Sequence, residues 1–167
     1  MMDDGYNLKK INSIKDVLLQ REQTLAVAES VTAGQLQVAF SLADNATQFF
    51  QGGITVYNLG QKSRHLHIEP IQAENDNCVS EKVSLQMAVQ VCEMFSSDWG
   101  IAITGYASPV PELGIEKLYA CYAICFRGEC IVNDTVHTRQ EHPLSVRTFF
   151  TNHVLDQLYG ICIQQEV

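Results

Sequence analysis

Ile11, Ile14 and Leu18 recur at helical spacing among Lys9, Lys10, Lys15, Asp16 and Gln20. The pattern predicts an amphipathic helix over residues 7–21, which needs a sheet to lie on. Thr24 to Ala28 is a short apolar run ending at Glu29-Ser30, followed by small residues and a helical stretch from Gln35 to Leu42. This reads as strand, tight turn and helix, half of a βαβ unit. Gly52-Gly53 breaks the chain before the β-branched and aromatic run Ile54-Thr55-Val56-Tyr57, and Asn58 and Gly60 lead into a helix ending near Leu66. Glu69 to Asn77 reads as a loop. Ser80 suits an N-cap, and Ser84, Met87, Ala88, Val91, Cys92 and Phe95 form one stripe, which predicts a helix over 80–96.

Trp99 to Thr104 reads as a third buried strand, and Gly105 to Lys117, with Pro109, Pro111 and Gly114, as an irregular loop where a parallel sheet would place a site. Leu118 to Phe126 is apolar on both alternating faces and suits a central strand. Ile131 to His137 puts Asn133, Thr135 and His137 on one face, which suits an exposed strand paired with it as a hairpin through a turn at Gly128. Pro143 opens a last helix whose apolar side includes Val146, Phe150, Val154 and Leu158. Strands alternating with helices, plus one hairpin, imply a three-layer α/β/α sandwich with a mixed, mainly parallel sheet.

The 167 residues, 46% of them hydrophobic, suffice for one sizeable core, so residues 1–167 are expected to form one domain, with at most the first six residues as a tail. Eleven Lys and Arg against nineteen Asp and Glu give a net charge of −8, which repels a phosphate backbone and disfavours direct nucleic-acid binding. No apolar run approaches the roughly 20 residues that span a bilayer. The N-terminal residues lack the apolar stretch of a signal peptide, so a cytoplasmic protein with no membrane partner is expected. Cys78, Cys92, Cys121, Cys125, Cys130 and Cys162 form no Cys-x-x-Cys pair and read as reduced core residues.

Ser30 follows a buried strand and precedes a helix. Backbone N–H groups near Thr32, Ala33 and Gly34 would therefore point at anything held beside its hydroxyl, although Ser30 or Thr32 also suits a simple helix cap. Tyr57 and Lys62 belong to the next strand exit and helix, at the same sheet edge. A desolvated, neutral lysine can take the proton of a serine hydroxyl, and a tyrosine can relay it or donate to the leaving group. A core tyrosine and a solvated lysine are the bland alternative. The histidines show no metal-ligand spacing beyond His65-x-His67, so neither metal nor other cofactor is expected. Tyr106, Tyr119 and Tyr122 are either core residues or a stacking surface for a flat ring.

Five stretches together resemble the CinA C-terminal family. Ala28-Glu29-Ser30-Val31-Thr32-Ala33-Gly34 is similar to its A-E-S-x-T-G-G motif, and Gly53 to Lys62 fits its G-x-x-x-Y-x-x-x-x-K pattern through Tyr57 and Lys62. Val79-Ser80-Glu81-Lys82-Val83 fits V-S-x-x-V, and Ala102 to Pro109 resembles A-I-T-G-x-A-G-P. Val146-Arg147 is similar to a helix start of the family, and the motifs run in order from about residue 10 to residue 160. The resemblance implies hydrolysis of the carboxamide of nicotinamide mononucleotide, giving nicotinic acid mononucleotide and ammonia. Ser30, Tyr57 and Lys62 would be catalytic, and Thr32, Ala33, Gly34, Thr104, Gly105 and Arg147 would contact the substrate, Arg147 through its phosphate.

The departures fall in the expected nucleotide cradle. Ala33 and Ser108 stand where the family has glycine, Pro143 where it often has arginine, and the glycine-rich loop after Pro109 is shortened. Erosion of the cradle leaves a second class open: a catalytically silent nucleotide-binding or oligomerisation domain. The expected partner is a small-molecule nucleotide, and the family's tendency to dimerise leaves a homodimer open.

Overall fold

Residues 25–29 form β1 (Leu25–Glu29), buried along its whole length. A strand covered on both faces must sit inside a sheet between two helical layers. The computed structural model, which describes residues 5–164, places it there. β1 pairs in parallel with β2 (Phe50–Thr55) on one side and with β3 (Trp99–Gly105) on the other. β4 (Tyr119–Phe126) runs antiparallel to β3, and β5 (Glu129–His137) antiparallel to β4, giving the order β2-β1-β3-β4-β5. Only β4 opposes the common direction of the other four strands, and the adjacent strands β2, β1 and β3 are mutually parallel. This is the mixed α/β/α sandwich that the periodicity predicts.

The two faces differ in side-chain size, because alternate residues of a strand point to opposite sides. Leu25, Val27, Ile101, Ile103 and Ile124 face a layer made by α1 (Leu8–Gln20), α2 (Gln35–Ser41) and α6 (Pro143–Gln164). Ala26, Ala28, Ala102 and Ala123 face α3 (Leu59–Leu66), α4 (Pro70–Asn75) and α5 (Glu81–Phe95). Small residues let α5 approach the sheet closely. A Cβ added at Gly100 would lie 2.2 Å from the Ala88 carbonyl oxygen of α5.

Three elements depart from the sequence-based expectations. Gly52 and Gly53 lie inside β2, which starts at Phe50 and ends at Thr55, so Tyr57 falls in the loop beyond the strand. Gly52, at φ +123°, sits where the β1–β2 register slips. Gly53 passes so close to β1 that a Cβ would lie 2.6 Å from the Val27 Cγ2 and 2.7 Å from its carbonyl oxygen. The glycines serve strand pairing, not chain breaking. The supposed loop at 69–77 contains α4, whose start is fixed by Pro70 at its first turn and by the Glu69 carboxyl, which accepts from the Ile71 and Gln72 N–H groups at 3.2 and 2.7 Å. β5 begins at Glu129, since the turn is only Arg127-Gly128, both at positive φ as a two-residue hairpin loop requires.

Five cysteines are buried, whereas Cys130 is exposed at the start of the edge strand β5. No helix among the described residues is long and apolar enough to cross a membrane.

Candidate active site

The parallel strands β1, β2 and β3 all release their chain at one sheet edge, the place where open α/β sheets hold ligands. The pairing continues just past the strands: the Ser30 N–H donates to the Ile103 carbonyl at 3.0 Å, and the Val56 N–H to the Glu29 carbonyl at 2.8 Å. Ser30 is thereby fixed between the exits of β2 and β3. From α3, whose start is capped by the Asn58 side chain, Lys62 and Leu66 turn inward four residues apart.

Lys62 is 3% exposed, and its Nζ donates to the Ser30 Oγ at 3.0 Å. Burial pushes the Lys62 ammonium below its ordinary pKa, an effect partly offset by nearby Cys78. The two groups that the sequence places on separate elements are in direct contact. Tyr57 is elsewhere: its ring is 59% exposed, and its hydroxyl oxygen accepts from the Arg147 Nη2 at 3.0 Å. The same guanidinium donates through Nε to the Val31 carbonyl at 2.9 Å, so α6 is tied to the turn after Ser30. Ser30, Tyr57 and Arg147 line one cleft of about 230 Å³ with Val31, Gly105, Tyr106, Ala107, Ser108 and Val110.

The turn between β1 and α2 is organised by Glu29, whose carboxyl is fully buried. It accepts from the Thr32 hydroxyl and from the N–H groups of Gly34 (3.1 Å), Leu36 (3.1 Å) and Gln37 (2.8 Å). A carboxyl group at a helix start satisfies orphan amides and complements the dipole. The Thr32 hydroxyl and the Gly34 N–H are therefore spent inside the protein, and the Ala33 N–H donates to the Ser30 carbonyl at 3.1 Å. Among the described residues, the amides after Ser30 that have no protein acceptor are those of Val31 and Thr32. Ala33 is exposed in the left-handed region at φ +53°. The Thr104 hydroxyl is likewise engaged, donating to the Cys78 carbonyl at 2.8 Å in a fully buried position.

A model of the CinA C-terminal domain matches residues 8–162. The chain belongs to that family. It is 41% identical over 106 residues to a CinA-like protein of Picosynechococcus, the match covering 64% of this chain and 25% of the relative. Over 124 residues it is 39% identical to a CinA-like protein of Thermosynechococcus vestitus, covering 74% of this chain and 29% of the relative. The chain thus spans about a quarter of the length of these curated relatives. Among solved structures, the competence or damage-inducible protein from Enterobacter asburiae superposes with a TM-score of 0.87 at 27% identity, covering 92% of this chain and 96% of that one. A CinA superfamily protein from Enterobacter cloacae gives 0.87 at 25% identity, covering 97% and 99%.

Within this CinA domain, sequence reasoning assigned no role to Glu29, although an acid ending an apolar strand just before a helix start is the signal of a buried cap. It also left open which tyrosine meets a ligand. Tyr106 lines the cleft, and Tyr119 packs behind it edge-on at 5.5 Å. Tyr122 is core, its hydroxyl 3.2 Å from the His153 Nε2.

Proposed function

We propose that the chain is a serine amidohydrolase acting on the carboxamide of a pyridine nucleotide such as nicotinamide mononucleotide. The observation that carries this reading is the buried 3.0 Å contact from Lys62 to Ser30, with the lysine held toward its neutral form by burial. A serine hydroxyl needs an adjacent base to become a nucleophile, and a desolvated lysine is one.

Ser30 Oγ attacks the carboxamide carbon as its proton passes to Lys62 Nζ. The developing oxyanion is met by the Val31 and Thr32 amides, which retain their donors for such a charge. Collapse breaks the C–N bond; the nitrogen takes the proton from Lys62 and leaves as ammonia. The Tyr57 hydroxyl, whose oxygen accepts from Arg147, keeps its own proton free to hydrogen-bond that nitrogen. Water then attacks the acyl-serine, giving one proton to Lys62, which returns it to Ser30 as the carboxylate departs. The sum is amide plus water to carboxylate and ammonium. The Thr32 and Thr104 hydroxyls and the Gly34 N–H act in this scheme by holding the turn and the loop, whereas Gly105 and Arg147 face the cleft itself. Free cysteines suit the cytoplasmic setting this reading assumes.

The test is ammonia release from nicotinamide mononucleotide by wild type and by Ser30→Ala. We expect release by the wild type and a loss of at least about a thousandfold in the variant, with the fold unchanged by circular dichroism. Equal rates in the two proteins would sink the serine mechanism. Thermal stabilisation by the nucleotide without ammonia release from wild type would favour a silent binding domain instead.

A further inference from the structure

The cleft beside Ser30 is small. At about 230 Å³ it falls below the roughly 300–1,000 Å³ of pockets that enclose a whole drug-sized ligand. That volume matches one planar ring and its carboxamide. One wall of the cleft is Tyr106, a loop residue tied to β4 through Tyr119. The Tyr106 N–H donates to the Tyr119 carbonyl at 3.0 Å, and the Tyr119 ring braces it at 65° with centroids 5.5 Å apart. Tyr119 is itself backed by His137 at 5.8 Å. Gly105, just before it, lies so close to β4 that a Cβ would meet the Ala120 Cβ and the Tyr119 carbonyl oxygen at 2.6 Å each. Val31, Ala107 and Val110 add small aliphatic surface, and Ser30, Tyr57, Ser108 and Arg147 add polar groups to the same lining. A braced aromatic face with polar groups around it favours a flat ring that carries a hydrogen-bonding substituent.

The cleft offers little to an anion. Among the residues lining it, Arg147 carries the one permanent positive charge, and two of its donors are spent on the Val31 carbonyl and the Tyr57 hydroxyl. Lys117 and Arg139 line a neighbouring trough of about 790 Å³ that begins at Pro109, between the cleft residues Ser108 and Val110, and also holds Glu116 and Glu141.

We infer that the cleft reads the aromatic carboxamide head of its substrate and leaves the sugar phosphate outside, with Tyr106 as the residue that sets this preference. The substrate class is then the ring carboxamide joined to a sugar, with the phosphate nearly dispensable. The inference rests on the serine amidase reading for its choice of cleft, and binding to an inactive protein separates the two. Dissociation constants for nicotinamide mononucleotide and for nicotinamide riboside are measured by calorimetry on Ser30→Ala. We expect values within tenfold of one another, both weakened at least tenfold by adding Tyr106→Leu and preserved by Tyr106→Phe. A preference for the nucleotide above tenfold, or binding indifferent to Tyr106→Leu, would overturn the inference. In wild type, kcat/KM for the two compounds should show the same ratio, with the Tyr106→Leu loss concentrated in KM. Absence of ammonia from both would defeat the serine reading, while the binding ratio would still decide this one.

Discussion

Lys62, the proposed base, illustrates how burying an ionisable group departs from what a stable fold would choose. Burial lowers its pKa, so the folded protein binds this proton less readily than the unfolded chain. Between the folded value and the ordinary 10.5, the unfolded state holds more protons, and stability must rise with pH through that window. Below it the penalty is fully present. Lys62→Met, of similar length and apolar, should therefore raise Tm at pH 7 by about 2–4 °C, the response to roughly 1 kcal/mol in a protein of this size, while ending turnover. The gain should shrink toward pH 10.5, and thermal melts across pH check both points. Ala33 is a second such departure. At φ +53° an L side chain costs about 1 kcal/mol or more relative to glycine, part of which the greater freedom of unfolded glycine offsets. Ala33→Gly should stabilise by up to about 1 kcal/mol in urea titration, and a loss of stability would show that the Cβ makes an unseen contribution.

Elements were read from periodicity, and where that failed the cause was local. Strand β1, helices α1 and α5 and the hairpin were legible because apolar spacing, caps and turn residues agreed. The start of β2 was not, since Gly52-Gly53 in isolation punctuates a chain, and its real constraint is the neighbouring Val27. Gly53→Ala is the corresponding test. With contacts of 2.6–2.7 Å to Val27, one of them backbone, the strand cannot accommodate a methyl without moving, and we expect a loss of about 2 kcal/mol or more by chemical denaturation. Unchanged stability would mean that the edge strand β2 shifts freely. Helix α4 was missed for a different reason: at six residues it is too short to show a period, and its Glu69 and Pro70 start carries the information instead.

At the scale of the whole molecule, the sheet joins two apolar layers, and α6 closes one of them over β4. There His153 meets the buried Tyr122, ring to ring at 5.1 Å and 78°, and burial lowers its pKa despite the opposing pull of Asp156 and Asp134. A histidine kept neutral in the folded state costs stability once the unfolded chain can protonate it. Its contribution is therefore intact above the unfolded value of about 6.5 and falls as pH drops from there toward the folded value. Melting between pH 7.5 and 5 should show this decline, and His153→Leu should flatten it; an unaltered slope would assign the acid sensitivity to other groups. The sequence by itself determined the layering, the order of the elements and the sheet edge that carries Ser30, because strand and helix periods and caps are local properties of the chain. Only the tertiary structure decided that Lys62 touches Ser30 while Tyr57 turns outward to Arg147, and that Glu29 consumes the amides of Gly34, Leu36 and Gln37. Those outcomes depend on register between strands and on which polar groups find each other on burial, and no single segment contains that information.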